Sequence, residues 1–365
     1  MRIFLHIGAE KTGTSSIQRF FKANRDILRS RSILYSKVAG FENHMALSAA
    51  AQNDEKMDDL RMVFELDTPA KVREFRTSLS IKLAEEARES GCSTLVFSGE
   101  HCSSRLVGVT EVEMLAGILR PISRDIVVVV YIRRQDDFLC SSYSTDVKSG
   151  FTGEITLPSA QLRQARYDYY ELLRRWSSVF GRENILCRIY DTDRLKGGDV
   201  VEDFVDTMGL AMDDDYVRPP RVNESLDVAA LEFLRLFNKT VPRFKDNKVN
   251  RQRGNIVQML EKISNGPGPS LPDFQLREFM EYFRRSNALV ANEYFGGASP
   301  SGDPLFGELR DKKNKAEMKP IDVETAMKLA GRLWGEKHQQ VLKQAERIAR
   351  LEGTPAKKQP HKVQG

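Results

Sequence analysis

The stretch Asp125–Ile132, DIVVVVYI, restricts the possible folds more than any other part of this 365-residue chain. Its β-branched residues follow one another without the polar alternation of a strand that has one face in water. Such a strand belongs in the middle of a parallel sheet covered on both faces. Parallel neighbours need long crossovers, so helices must alternate with strands. The rest of the chain supplies them. Strands are predicted at 2–7, 33–35, 94–98 and 184–190. Helical spacing predicts a helix over 14–29 (Ile17, Phe20, Phe21, Ile27, Leu28) and another over 68–91 (Val72, Phe75, Leu79, Leu83, Ala87), closed by Gly91. Further helices are expected at 110–120, 135–149 and 200–208. One more spans 159–180, with Leu162, Tyr169, Leu172, Leu173, Trp176 and Phe180 inward and Gly181 as its stop.

Beyond Pro219 strand signals fade. Helices near 226–239 and 321–351 flank the loop-rich stretches SNGPGPSLPD and GGASPSGDPLF. The expected organisation is an α/β core over 1–220 with a parallel central sheet and helices on both faces. A helical, loop-rich continuation of the same domain over 221–352 follows as a cap on the acceptor side. The polar tail 353–365 is expected to be disordered.

Hydrophobic residues make up 41% of the chain and charged residues 29%, enough for a large core in a soluble protein. No apolar run has the length of a membrane span, and the N-terminus does not read as a signal peptide, so a cytoplasmic protein is expected. The net charge of +5 favours anionic ligands. No basic patch is interleaved with aromatic residues, and nucleic acid is not an expected partner. The four cysteines, Cys92, Cys102, Cys140 and Cys187, form no CxxC pair. They read as reduced, buried thiols rather than as a metal site or a disulfide framework.

The first predicted strand runs straight into HIGAEKTGTSSIQRFF, residues 6–21. Gly8 and Gly13 keep the glycine spacing of a phosphate-binding loop, but the lysine is Lys11, ahead of the second glycine rather than after it. The cradle physics survives this change. A loop that leaves a strand and opens a helix points unpaired N–H groups and the positive end of the helix dipole at an oxyanion. Thr12, Thr14, Ser15 and Ser16 add hydroxyls, and Gly13 permits close backbone approach. The serine or threonine that follows a Walker lysine and binds Mg²⁺ has no counterpart here, so the expected chemistry needs no metal.

These residues resemble the 5′-phosphosulfate loop of the sulfotransferases that use 3′-phosphoadenosine 5′-phosphosulfate (PAPS), where Lys-Thr-Gly-Thr follows the first strand. A second motif resembles the same family. After the strand 125–132 comes RRQDDFLCSSY, in which Arg133, Ser141 and Tyr143 match the spacing of the family's 3′-phosphate motif. Arg134 and Gln135 depart from it: an acidic residue or Asn, and a proline, are common at those positions. The segments YYELLRRWSSVFGRENILCRIYDTDRL and NESLDVAALEFLRLFN look like bacterial members. The resemblance covers roughly residues 2–240. It implies a P-loop NTPase-like three-layer sandwich and PAPS as co-substrate, without metal. It also implies sulfuryl transfer to a hydroxyl or amine of an acceptor, a carbohydrate first, with a glycolipid or small hydroxylated molecule also compatible.

Within that resemblance Lys11 stabilises the leaving oxygen. Thr12, Gly13, Thr14, Ser15 and Ser16 complete the 5′ cradle, and Arg133 with Ser141 holds the 3′-phosphate. An acceptor hydroxyl needs a base. FSGEHCSS ends the strand 94–98 on the rim where open α/β sheets bind ligands, which nominates Glu100 first and His101 second. His44 is a third candidate, against a plain structural role. Asp136 and Asp137 read as partners of a helix dipole, and His338 belongs to no constellation. Two other classes stay open at this point: a P-loop nucleotide kinase, against which the position of Lys11 speaks, and a nucleotide-binding protein without turnover.

Overall fold

A computed structural model describes residues 1–220, 226–245, 248–297, 299, 301–307 and 314–351. The expected disordered tail 353–365 and the NES of NESLDVAALEFLRLFN lie outside these residues, as does part of GGASPSGDPLF. The chain forms two compact units. The first comprises 1–139, 157–222 and 274–310; the second comprises 140–156, 223–273 and 311–365. This partition interleaves instead of following a single cut at 220, because 140–156 packs with the later helices and 274–310 packs with the sheet.

The first unit is an α/β structure built on a five-stranded, wholly parallel sheet. Its strands are β1 (Arg2–His6), β2 (Ile33–Tyr35), β3 (Thr94–Ser98), β4 (Ile126–Ile132) and β5 (Ile185–Ile189), in the spatial order β2-β3-β1-β4-β5. The pleat sends alternate residues to opposite cores. Ile3, Leu5, Val128, Val130 and Ile132 enter one, and Phe4, Val129 and Tyr131 the other. Both faces are therefore dry, as the unbroken apolar reading of β4 requires.

Helices α1 (Thr14–Ala23) and α2 (Arg25–Ser30) follow β1. Between β2 and β3 lie α3 (Met45–Ala51), α4 (Asp59–Val63) and α5 (Pro69–Ser90). Next come α6 (His101–Arg105), α7 (Val109–Leu119), α8 (Gln135–Lys148), α9 (Ala160–Tyr167), α10 (Tyr169–Phe180) and α11 (Val200–Thr207). One face of the sheet carries α1, α2 and α11 through Ile17, Phe20, Phe21, Leu28 and Phe204. The other carries α3, α5, α7 and α10 through Leu47, Leu79, Leu115 and Trp176.

Two helices expected to be continuous are each broken by a side chain that competes for backbone groups. The amide of Asn24 donates to the carbonyls of Phe20 and Val217, both at 2.8 Å, and its oxygen accepts the N–H of Val217 at 2.7 Å. The expected helix 14–29 therefore stops and restarts there. Asp168 caps α10 by accepting the N–H groups of Tyr170 (3.0 Å) and Glu171 (3.2 Å). That splits the expected 159–180 helix, and Leu162, expected inward, is exposed on α9. All four cysteines are buried and unbridged.

The second unit takes the end of α8, then α12 (Val228–Thr240), α13 (Ile256–Ile263) and, after α14 (Asp273–Tyr282) and α15 (Arg284–Tyr294) of the first unit, α16 (Val323–Leu351). Its core gathers Tyr143, Val147, Leu231, Leu234, Leu260, Leu329 and Leu333. Among the described residues no helix is long and apolar enough to cross a membrane.

Candidate functional site

The sheet order fixes where a ligand can sit. The helix after β1 lies on one face and the helices after β4 lie on the other, so the chain leaves these adjacent strands in opposite directions. A crevice opens at the carboxyl ends of such a pair. The loop 8–13 occupies it.

The ladder between β1 and β4 continues into this loop, with Ala9 N–H donating to Tyr131 O (2.8 Å) and Tyr131 N–H to Gly8 O (2.7 Å). The chain then turns through two left-handed residues, Lys11 (φ 64°) and Gly13 (φ 79°), into α1. A Cβ on Gly13 would lie 2.7 Å from Val200 Cγ1 and 3.1 Å from Tyr190 Cε2, so glycine is required by backbone conformation and by space. Lys11 has no such licence. A non-glycine residue held left-handed costs on the order of 1 kcal/mol and marks a segment fixed by its surroundings.

Gly13 is also the N-cap of α1 and offers no side chain to the first-turn N–H groups. That is the arrangement an oxyanion would complete. The hydroxyls divide in two. Thr12 and Thr14 are buried and donate to the same carbonyl, Ala9 O, at 2.6 Å and 3.3 Å. Their protons shape the loop, whereas Ser15 and Ser16 are exposed.

Arg133 follows β4 and reaches this loop. Its Nη1 donates to the carbonyl of Lys11 at 3.1 Å, and its guanidinium lies 5.6 Å from the ring centre of Tyr190, the residue that also closes on Gly13. Its backbone is gripped by the Tyr169 hydroxyl, which donates to Arg133 O at 2.6 Å. Arg134 turns elsewhere: Nε donates to the buried Asp136 at 3.2 Å, and Nη1 is buried without a hydrogen-bond partner. Asp136 also accepts the N–H of Asp137 at 2.8 Å. Ser141 lies half-buried on α8 in the second unit, where its carbonyl accepts the Thr145 hydroxyl at 3.3 Å.

Glu100 and His101 begin α6, directly after β3. The Gly8 segment packs against them, since a Cβ on Gly8 would lie 3.1 Å from Glu100 Cα. Both carboxylate oxygens of Glu100 are held by amides: Gln18 Nε2 donates to one at 2.9 Å and Asn43 Nδ2 to the other at 3.1 Å. The oxygen of the Asn43 amide and Nδ1 of His101 are buried with no partner. Glu10, inside the loop, pairs with Arg166 at 2.8 Å.

His44 is fully buried, accepting Ser98 N–H on Nδ1 and directing Nε2 at Ser36 O, both at 3.0 Å. Burial pushes it down to about 3. With both ring nitrogens engaged, it is a structural histidine rather than a base. His6, at the end of β1, is likewise buried and pushed down to about 3, with Nδ1 2.8 Å from the Ser98 hydroxyl. Sequence reasoning missed Gln18, Asn43, Tyr190 and Arg166. Tyr190 alone carried a usable signal, because it closes the predicted strand 184–190, at the same rim as the other candidates.

No protein-family model matches the chain. Over 173 residues it is 31% identical to an uncharacterized protein of Archaeoglobus fulgidus; the match covers 46% of this chain and 46% of that protein, so the chain spans about half the length of its curated relative. Among solved structures it is similar to a sulfotransferase from Alicyclobacillus acidocaldarius, with 16% identity and a TM-score of 0.39, over 60% of this chain and 86% of the other.

Proposed function

We propose that the chain is a sulfotransferase that moves the sulfuryl group of PAPS to an acceptor hydroxyl, with a carbohydrate as the first acceptor class. The observation that carries this reading is the bond from Arg133 to the Lys11 carbonyl, at 3.1 Å. It joins two motifs, 122 positions apart, that would grip opposite ends of one doubly phosphorylated adenosine.

The uncapped first turn of α1, with Gly13, Ser15 and Ser16, receives the 5′ end. Thr12 and Thr14 hold the loop in shape through Ala9. Arg133 takes the 3′-phosphate by charge-assisted hydrogen bonds, and Ser141 is assigned to the same phosphate by sequence spacing alone. In the transfer, the bond from sulfur to the bridging oxygen breaks as the bond from the acceptor oxygen to sulfur forms. Negative charge collects on the 5′-phosphate side, where Lys11 and the helix N-terminus oppose it. Glu100 accepts the acceptor's proton. Its two amide donors fix the carboxylate's orientation while leaving lone pairs open on both oxygens. His101, beside it, is the second choice.

Thermal shift with 3′-phosphoadenosine 5′-phosphate (PAP), in the presence of a chelator, tests the nucleotide, and a radiolabelled-sulfate screen over glycans, glycolipids and phenols tests transfer. Stabilisation by PAP together with labelled product supports the reading. Stabilisation by ATP–Mg²⁺ alone replaces it with a kinase, and PAP binding without any labelled product leaves a binding protein.

A further inference from the structure

The last helix carries an apolar stripe that the fold does not use. α16 packs through Leu329 and Leu333. On another face Met327, Trp334, Val341 and Ile348 recur every seven residues, with Val323, Ala330 and Ala345 filling the alternate layers. At 100° per residue these seven side chains fall within about 40° of a single line. Val323 is 80% exposed, Met327 66%, Trp334 75%, Val341 50% and Ile348 53%. A scattered exposed leucine needs no explanation, but an apolar ridge with an average spacing near 3.5 residues, broken only at its midpoint, has the pattern of the seam of a two-helix coil.

We propose that this ridge is an interface for a second copy of the chain, with the two α16 helices antiparallel. Reversing one helix about the middle of the ridge sets Met327 against Ile348, Trp334 against Val341 and Ala330 against Ala345, large beside smaller. A parallel pair would instead stack Trp334 on itself. Lys337 and His338 interrupt the ridge at its midpoint, where polar residues set register at some loss of stability. The five large side chains expose on the order of 600 Å² per copy, so pairing removes on the order of 1,000 Å² in total, the lower bound of a specific interface. An anionic bilayer fits less well. Lys328, Arg332, Lys343 and Arg350 lie on the side away from the ridge, so a helix lying ridge-down would hold these four cations away from the headgroups.

Sedimentation of the full chain across the micromolar range tests the proposal. The wild type should sediment as a dimer. Trp334→Glu and Val341→Glu should each weaken it at least ~100-fold, since central aromatic and aliphatic anchors dominate such interfaces, and Arg332→Glu on the outer side should leave it intact. The four native cysteines are buried. The double variant Met327→Cys/Ile348→Cys should therefore oxidise to a covalent dimer, because ~30 Å of helix separates the two positions within one copy. A wild type that stays monomeric, a dimer indifferent to both glutamate variants, or capture of the monomer by anionic vesicles would each overturn it.

Discussion

Gly13→Ala is the sharpest test of how the loop is built. The residue sits at φ 79°, and a left-handed backbone costs an L-residue about 1–2 kcal/mol. The new methyl would also meet Val200 Cγ1 at 2.7 Å and Tyr190 Cε2 at 3.1 Å. Tyr190 is half-buried and has room to turn, but Val200 is packed into the core at the first turn of α11. Overpacking of this kind costs about 1–3 kcal/mol. The expected loss is therefore about 2–5 kcal/mol, the sum of these two terms. Val200→Ala separates them. It removes the clash and keeps the backbone strain, so the double variant should recover about 1–3 kcal/mol as a coupling energy. Urea denaturation followed by Trp176 fluorescence in a Trp334→Phe background reports the first unit alone, because the chain has two tryptophans. A loss under about 1 kcal/mol, or strict additivity with Val200→Ala, would refute the steric account of the cradle.

Four further outcomes are expected. Lys11→Ala should cut sulfate transfer by about 10²–10³-fold with little loss of PAP affinity, and Lys11→Gly should fold about 1 kcal/mol more stably than Lys11→Ala, which denaturation midpoints will read. Arg133→Ala should weaken PAP by about 10–100-fold while barely touching adenosine 5′-phosphosulfate, which lacks the 3′-phosphate; equal weakening in calorimetry contradicts the assignment. Glu100→Gln should lower turnover by about 10²–10⁴-fold at unchanged donor affinity, and a wild-type rate moves the base to His101. Acidification should destabilise the fold well above the carboxylate range. His6 and His44, pushed down to about 3 in the folded chain, bind protons only on unfolding between pH 6.5 and 3. Stability is then full above 6.5 and falls by up to ~1.4 kcal/mol per pH unit for each; His44→Gln should make the pH 6.5–5 slope of the urea midpoint shallower.

The sheet was legible because a doubly covered strand cannot hide its composition. Apolar runs located all five strands of the sheet, and one to two residues at the ends were the main error. Helix continuity was less legible. Nothing in the periodicity around Asn24 or Asp168 shows that a side chain will divert the backbone, because in the case of Asn24 the diverting partner lies at Val217. The short helices α3, α4 and α6 also escaped. Five to seven residues do not complete enough turns to display a face, and these segments are held by tertiary contacts rather than by propensity.

The site divides along the same line. A glycine at a turn, a cation at a strand end and an acid on the rim are local facts, and the sequence displays them. What it cannot display is which side chains spend their hydrogen bonds on one another. Thr12 and Thr14 look identical to Ser15 and Ser16 as hydroxyls in a loop, yet burial turns the first pair inward to one carbonyl and leaves the second pair in solvent. Glu100 looks like one of many acids, until Gln18, 82 positions away, and Asn43, 57 away, each place an amide on it. Those two amides come from α1, which opens at the cradle, and from the segment just before α3. On the proposed reading, the same helix presents its first turn to the donor's anion and, one turn further on, positions the acceptor's base. That single rigid element ties the spacing of the two chemical groups to the rise of a helix, and this coupling of donor and base is the strongest reason to look for transfer rather than for binding alone.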